Sequence, residues 1–297
     1  MATSASSSLP RARRILPASA GVIGLVLAVA LNLPVGSVQA AGAFESLRAP
    51  GEAGFIAAHR GDRSAAPENT LPALQAALDA GMSFVETDVQ LSKDGVPVLM
   101  HDATVDRTTN GSGRVADLTL AELQTLDAGG WFAPEFAGVP VPTLDEYLAL
   151  LVTTEAMAII ELKGFWSETD VAAVSNLLYG YSLHSRAIIA SFTLATVAHA
   201  REAAPAIPRI VLRRDLPADP VRFARFYDAI AVMTKAATIE RRPELVETMH
   251  EAGVGILLYT LNTEQNWAEA LAFGVDGIVT DAPSDLDSWL AATAPGT

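Results

Sequence analysis

Eight short apolar runs recur along the chain, and between them lie stretches whose apolar residues fall at helical spacing. The runs cover residues 54–59, 83–90, 157–162, 187–191, 209–212, 229–233, 255–260 and 276–280. Leu71, Leu74, Ala77 and Leu78 illustrate the helical spacing between them, as do Leu245, Val246 and Met249. Strands that alternate with helices pair in parallel, because each helix carries the chain back to the starting end of the sheet. Eight such units predict closure into a TIM-type (β/α)8 barrel rather than an open doubly wound sheet. A chain of 297 residues with 50% hydrophobic side chains is large enough to fill such a barrel.

One segment breaks the alternation. Residues 96–101 follow Lys93-Asp94-Gly95, and Asp-Gly is a hairpin signal. An extra strand is therefore expected to turn back from the second barrel strand. The stretch 102–142 is long for a βα connection and rich in Gly and Pro, so a small insertion is expected there, at the active-site end.

Residues 1–40 read as a signal peptide, and residues 41–297 as one (β/α)8-barrel domain. Arg11, Arg13 and Arg14 form a positive start, residues 20–35 are almost wholly apolar, and Val38-Gln39-Ala40 ends in small residues. A retained N-terminal anchor is the alternative, although Asn32 and Pro34 interrupt the run and it is short for a membrane span. Arg13-Arg14 also bears a loose likeness to a twin-arginine signal, leaving the export route open. Cleavage near Ala40 would place the mature chain in the periplasm or outside the cell, with no stable membrane insertion. It would remove three Arg and no acid, leaving 17 basic against 34 acidic side chains, a net −17. So acidic a surface repels nucleic acid, and none is expected as a partner. The absence of cysteine excludes disulfides, thiolate catalysis and Cys-ligated metal.

Of the five histidines, His184, His199 and His250 sit in or beside helical patterns. His59 and His101 instead end apolar strand runs, and residues at the carboxyl ends of barrel strands face the active site. A local hydrogen bond is the plainer role for either one alone. Glu86 and Asp88 are two apart in a strand, so both carboxylates point to one face. Glu161 ends another buried-looking strand. Three carboxylates at one rim form an oxygen-rich site suited to Ca²⁺ or Mg²⁺. Lys163 lies two residues past Glu161 and offers a cation to an anionic ligand. Arg60 is placed either to clamp phosphate or to pair with one of these acids. A divalent cation, phosphate-binding cations and two imidazoles near neutrality point to phosphoryl chemistry without an organic cofactor.

These residues resemble the glycerophosphodiester phosphodiesterase family. The matching pieces are His59-Arg60-Gly61, Pro67-Glu68-Asn69-Thr70, Glu86-Thr87-Asp88-Val89, Lys93-Asp94-Gly95 and His101-Asp102. They continue with Arg107-Thr108-Thr109, Glu161-Leu162-Lys163, Ser191-Phe192 and Thr280-Asp281-Ala282-Pro283. Their order over residues 59–283 makes the signal strong.

The resemblance implies a metal held by Glu86, Asp88 and Glu161, an acid–base pair of His59 and His101, and phosphate contacts from Arg60 and Lys163. It implies a small glycerophosphodiester as substrate, with sn-glycerol 3-phosphate and an alcohol as products. One histidine would take a proton from the glycerol 2-hydroxyl while the other protonates the departing alcohol; water would then open the cyclic phosphate. Trp131 and Phe132 resemble an aromatic wall over the substrate. Tyr259 stands where the family carries tryptophan. Glu68 is expected to hydrogen-bond the first loop or approach the metal, Asn69 to cap the following helix, and Asp281 to be structural. Two other readings remain: a lysophospholipase D-like or phosphoinositide phospholipase C-like enzyme, and a phosphodiester-binding protein without catalysis. The mature protein is expected to begin near Ala41, and N-terminal sequencing of exported material that returned Met1 would reject the signal-peptide reading.

Overall fold

The computed structural model describes residues 38–44 and 46–293. Residues 1–37, the bulk of the expected signal peptide, lie outside the described residues. Nine strands run in chain order: β1 Phe55–Ala58, β2 Phe84–Leu91, β3 Pro97–Leu99, β4 Met157–Leu162, β5 Ala187–Ser191, β6 Arg209–Leu212, β7 Ala231–Thr234, β8 Gly255–Leu258 and β9 Gly277–Thr280. All neighbours pair in parallel except β2 and β3. The order β1-β9-β8-β7-β6-β5-β4-β2, with β1 pairing back to β2, closes an eight-stranded parallel barrel. Helices such as Leu71–Asp79, Leu144–Leu151, Glu168–Gly180 and Pro283–Thr293 run between and after the strands. Thr143 and Ser167 start two of them with reciprocal capping boxes, which satisfy the first free N–H groups. Among the described residues no helix is long and apolar enough to cross a membrane.

Strand alternation divides the apolar residues into two layers. Ile56, Val85, Ile160, Ile189, Val211, Val232, Ile256 and Ile278 face outward and join the helices in the larger cluster. Ala57, Phe84, Ile159, Ile188, Ile210, Ala231, Leu257 and Val279 belong to a separate cluster inside the barrel. The lower half of the barrel is thus packed solid, and polar side chains can enter only above it.

Ala40 and Phe44 join this interior cluster. The Ala40 N–H donates to the Ser185 carbonyl at 2.9 Å, and Phe44 stands edge-on to Phe55 at 5.5 Å. Gly255 makes room for it, since a Cβ there would meet the Phe44 ring at 2.3 Å.

The expected hairpin forms. β2 runs past the barrel rim, turns at Gly95, where φ is +79°, and returns as antiparallel β3 with Val89 opposite Leu99. The Met100 N–H then donates to the Asp88 carbonyl at 3.0 Å, so the return leg delivers His101 beside Asp88. The insertion has its own small core of Val98, Met100, Val105, Val115, Leu123, Ala128 and Val141. His101 therefore hangs from a packed support.

Phe84 is 1% exposed and stacks 4.3 Å from Phe55. Phe84→Ala should cost about 3–5 kcal/mol of stability, read from denaturant unfolding. An unmoved midpoint would show that the interior is looser than described.

Candidate active site

The interior register that places apolar residues low in the barrel places functional ones high. Continuing upward by twos, Ala57 leads to His59, Phe84 to Glu86 and Asp88, Ile159 to Glu161 and Lys163, and Leu257 to Tyr259. Asp88 pairs with Glu161 across the β2–β4 ladder, which brings two strands' acids to one level. His59, Arg60, Glu86, His101, Glu161, Lys163 and Tyr259 line one cleft of about 520 Å³.

Glu86, Asp88 and Glu161 each offer an oxygen within 4.8 Å of the other two, and all three are buried. Burial, then the charges of Asp88 and Glu161, push the Glu86 carboxyl well above its usual range. Burial and Asp88 raise Glu161 to about 7. Burial also pushes Asp88 upward, but Lys163 and Arg60 outweigh it and hold that carboxyl below its ordinary value. The Lys163 ammonium lies 2.8 Å from Glu161 and 3.2 Å from Asp88, and Arg60 Nε lies 3.0 Å from Asp88. An all-oxygen, buried trio short of positive charge fits a hard divalent cation.

Both imidazoles are held in the same manner. His59 Nδ1 meets Asp281 at 2.6 Å, and His101 Nδ1 meets Asp102 at 2.7 Å. Each ring has Nε2 left for chemistry. Burial holds both below the ordinary histidine value, against the hydrogen bond to Asp281 at His59 and the charge of Asp88 at His101. Burial pushes Asp281 up, but its bond to His59 prevails and its carboxyl settles at about 2.

Glu68 ties the two dyads together. It is 4% exposed and pairs with Arg60 at 2.7 Å, Arg63 at 2.9 Å and Arg107 at 2.8 Å. Arg63 continues to Asp281 at 3.2 Å, and Arg107 to Asp102 at 2.5 Å. A chain of alternating charges thus runs from His59 through Glu68 to His101.

The first loop bends to make these contacts. Arg60 has φ +59°, which aims its N–H at Glu86 Oε2, 3.0 Å away. Gly61 follows at φ +82°, and a Cβ there would lie 2.5 Å from the Ala73 carbonyl, so only glycine fits. Asn69 does not cap the helix as its side chain was expected to; Thr70 holds the N-cap position. The Asn69 amide instead donates to Asp88 Oδ2 at 2.9 Å and accepts from Thr87 Oγ1 and the Asp88 N–H. Asp281 is likewise more than a strand end, since it holds His59.

Trp131 and Phe132 do not line the cleft. They stack edge-to-face at 5.8 Å within the insertion, Phe132 meets Phe136 in the same way, and Trp131 is 43% exposed. Tyr259 does line it, with Phe192 edge-on at 5.7 Å. Burial raises its phenol to about 12, and the hydroxyl has no hydrogen-bond partner.

Residues 59–285 match the model of the glycerophosphoryl diester phosphodiesterase family. The chain belongs to this family. It is 36% identical over 238 residues to a glycerophosphodiester phosphodiesterase of Caldanaerobacter subterraneus subsp. tengcongensis, covering 78% of this chain and 96% of the relative. A solved glycerophosphodiester phosphodiesterase of Agrobacterium tumefaciens is 34% identical, with TM-score 0.71 over 80% of this chain and 100% of that one. An Oleispira antarctica phosphodiesterase, solved with the product sn-glycerol-3-phosphate, is 29% identical, with TM-score 0.77 over 84% of this chain and 99% of that one.

Asp281→Asn should lower kcat by roughly ten- to thousandfold through loss of the His59 orientation, while thermal melting stays near wild type. Steady-state kinetics on a glycerophosphodiester would read this. Unchanged kcat would return Asp281 to a purely structural role.

Proposed function

We propose that the protein hydrolyses glycerophosphodiesters to sn-glycerol 3-phosphate and an alcohol, with His59 and His101 as the acid–base pair. The observation that carries this reading is the pair of carboxylate-held imidazoles in one cleft with the acidic trio. An Nδ1 bonded to a carboxylate is the protonated nitrogen, which leaves Nε2 as a base in the neutral ring. Burial disfavours the charged ring at both positions, which favours the neutral form that a base requires.

One imidazole takes the proton of the glycerol 2-hydroxyl as its oxygen bonds to phosphorus. The other imidazole, entering as its conjugate acid, protonates the oxygen of the departing alcohol as the P–O bond breaks. The same two groups with roles exchanged let water open the cyclic phosphate. Asp281 and Asp102 steady whichever ring is charged. Glu86, Asp88 and Glu161 would hold a divalent ion, Ca²⁺ or Mg²⁺, which would supply positive charge to the phosphate oxygens. Lys163 and Arg60 border the same cleft and add positive charge toward the diester.

A lysophospholipid substrate would need an apolar rim at the cleft, for which the aromatics Trp131, Phe132 and Phe136 are the candidates. None of the three lines the cleft, so a small, water-soluble diester is the better fit. A binding protein has no need of two oriented imidazoles. The reading of residues 1–40 as an export signal places this chemistry in the periplasm or outside the cell, and it rests on the sequence pattern alone.

A coupled assay for glycerol 3-phosphate release tests the proposal. His59→Ala and His101→Ala should each lower kcat on the order of 10²–10⁴. Excess EDTA should abolish release, and Ca²⁺ or Mg²⁺ should restore it. Full activity in both histidine variants would remove the pair from the mechanism; full activity in EDTA with no metal retained would remove the ion.

A further inference from the structure

The wall of the cleft opposite the acidic trio carries two further cations, Arg214 and Lys235. Both follow closely on strand ends, β6 ending at Leu212 and β7 at Thr234, and both are exposed at the mouth of the cleft. Leu212 lines the cleft from β6, Arg213 turns out to stack its guanidinium 6.0 Å from the Phe223 ring, and Arg214 lines the cleft again. On the next strand Met233 lines the cleft, Thr234 turns out to meet Thr238, and Lys235 follows at the cleft. Arg60 and Lys163 are already matched by Glu68, Asp88 and Glu161. Arg214 and Lys235 make no ion pair among the described residues, although Asp215 lies next in sequence; its carboxylate goes to Arg241 and Arg242 instead. Tyr259 lines the same cleft, and its hydroxyl is without a hydrogen-bond partner.

Two unmatched cations and an orphaned donor in one cleft are a poor match for a choline or ethanolamine head group, whose ammonium they would repel. They suit an anion. The glycerol moiety and the reacting diester supply no second anion, so it must sit on the departing alcohol. We propose that Arg214, Lys235 and the Tyr259 hydroxyl bind a second phosphoryl group on the alcohol side, making a phosphorylated alcohol the preferred head group. This inference rests on the glycerophosphodiesterase reading above. A cleft of about 520 Å³ has room for both phosphoryl groups.

The test compares glycerophosphoglycerol with the same diester bearing a phosphate on the terminal hydroxyl of the departing glycerol. Wild-type kcat/KM should favour the phosphorylated substrate by at least about tenfold. Arg214→Gln and Lys235→Gln should each bring that ratio down several-fold, the double variant should bring it near one, and Lys235→Arg should restore it. A wild-type ratio of one or less, or a ratio that survives the double variant, overturns this inference alone. Variants that slow both substrates equally also overturn it, because the cations would then serve the shared diester. Release of glycerol 3-phosphate from neither substrate overturns the glycerophosphodiesterase reading instead.

Discussion

Three carboxylates buried within 4.8 Å of one another set the terms for everything around them. Like charges out of water repel strongly, and such a cluster persists only if positive charge is supplied to it. Lys163 and Arg60 supply part of that charge from the protein. The raised Glu86 and Glu161 carboxyls show that this part is not enough, which is the electrostatic reason the site suits a divalent ion. The barrel makes the cluster affordable. Its interior is packed with Phe84, Ile159, Ile188 and Leu257 below, and adjacent strands fix the acids in register above.

The cations brought in to balance the trio need balancing themselves, and Glu68 does this for three guanidiniums at once. Because Arg63 and Arg107 each reach on to the carboxylate behind a histidine, the two imidazoles share one framework of alternating charge. A shift in either ring must disturb a network that includes the other. Such networks hold their members in place when fully satisfied, and this one ends in the two groups that must straddle a phosphorus atom. Arg60 spends its guanidinium on Glu68 and Asp88, so its part in holding phosphate is joined to a part in building the site.

His101 reaches the site by a different route from the other residues. It does not end a barrel strand; it follows β3, which folds back along the overshooting end of β2. The hydrogen bond from the Met100 N–H to the Asp88 carbonyl locks that return. The insertion, with its own apolar core, buttresses the hairpin from outside. The aromatic ladder of Trp131, Phe132 and Phe136 belongs to that buttress rather than to the cleft.

The strands were legible in the sequence because burial on both faces writes them as apolar runs, and the shared direction of Glu86 and Asp88 followed from the two-residue period of a strand. The hairpin was legible from Asp94-Gly95, since a tight turn needs a residue that accepts positive φ. These are local properties, set by neighbours a few residues away. The partnership of His59 with Asp281, 222 positions apart, has no local signature; it exists because β1 pairs with β9 when the barrel closes. The diversion of Asn69 from helix cap to Asp88, and the meeting of Glu68 with three arginines, come instead from tertiary packing of the first loop against β2 and the insertion. Side-chain type and period decide what each strand can offer, but which offers meet is decided by the ring of strands, because only a closed ring brings its first strand against its last.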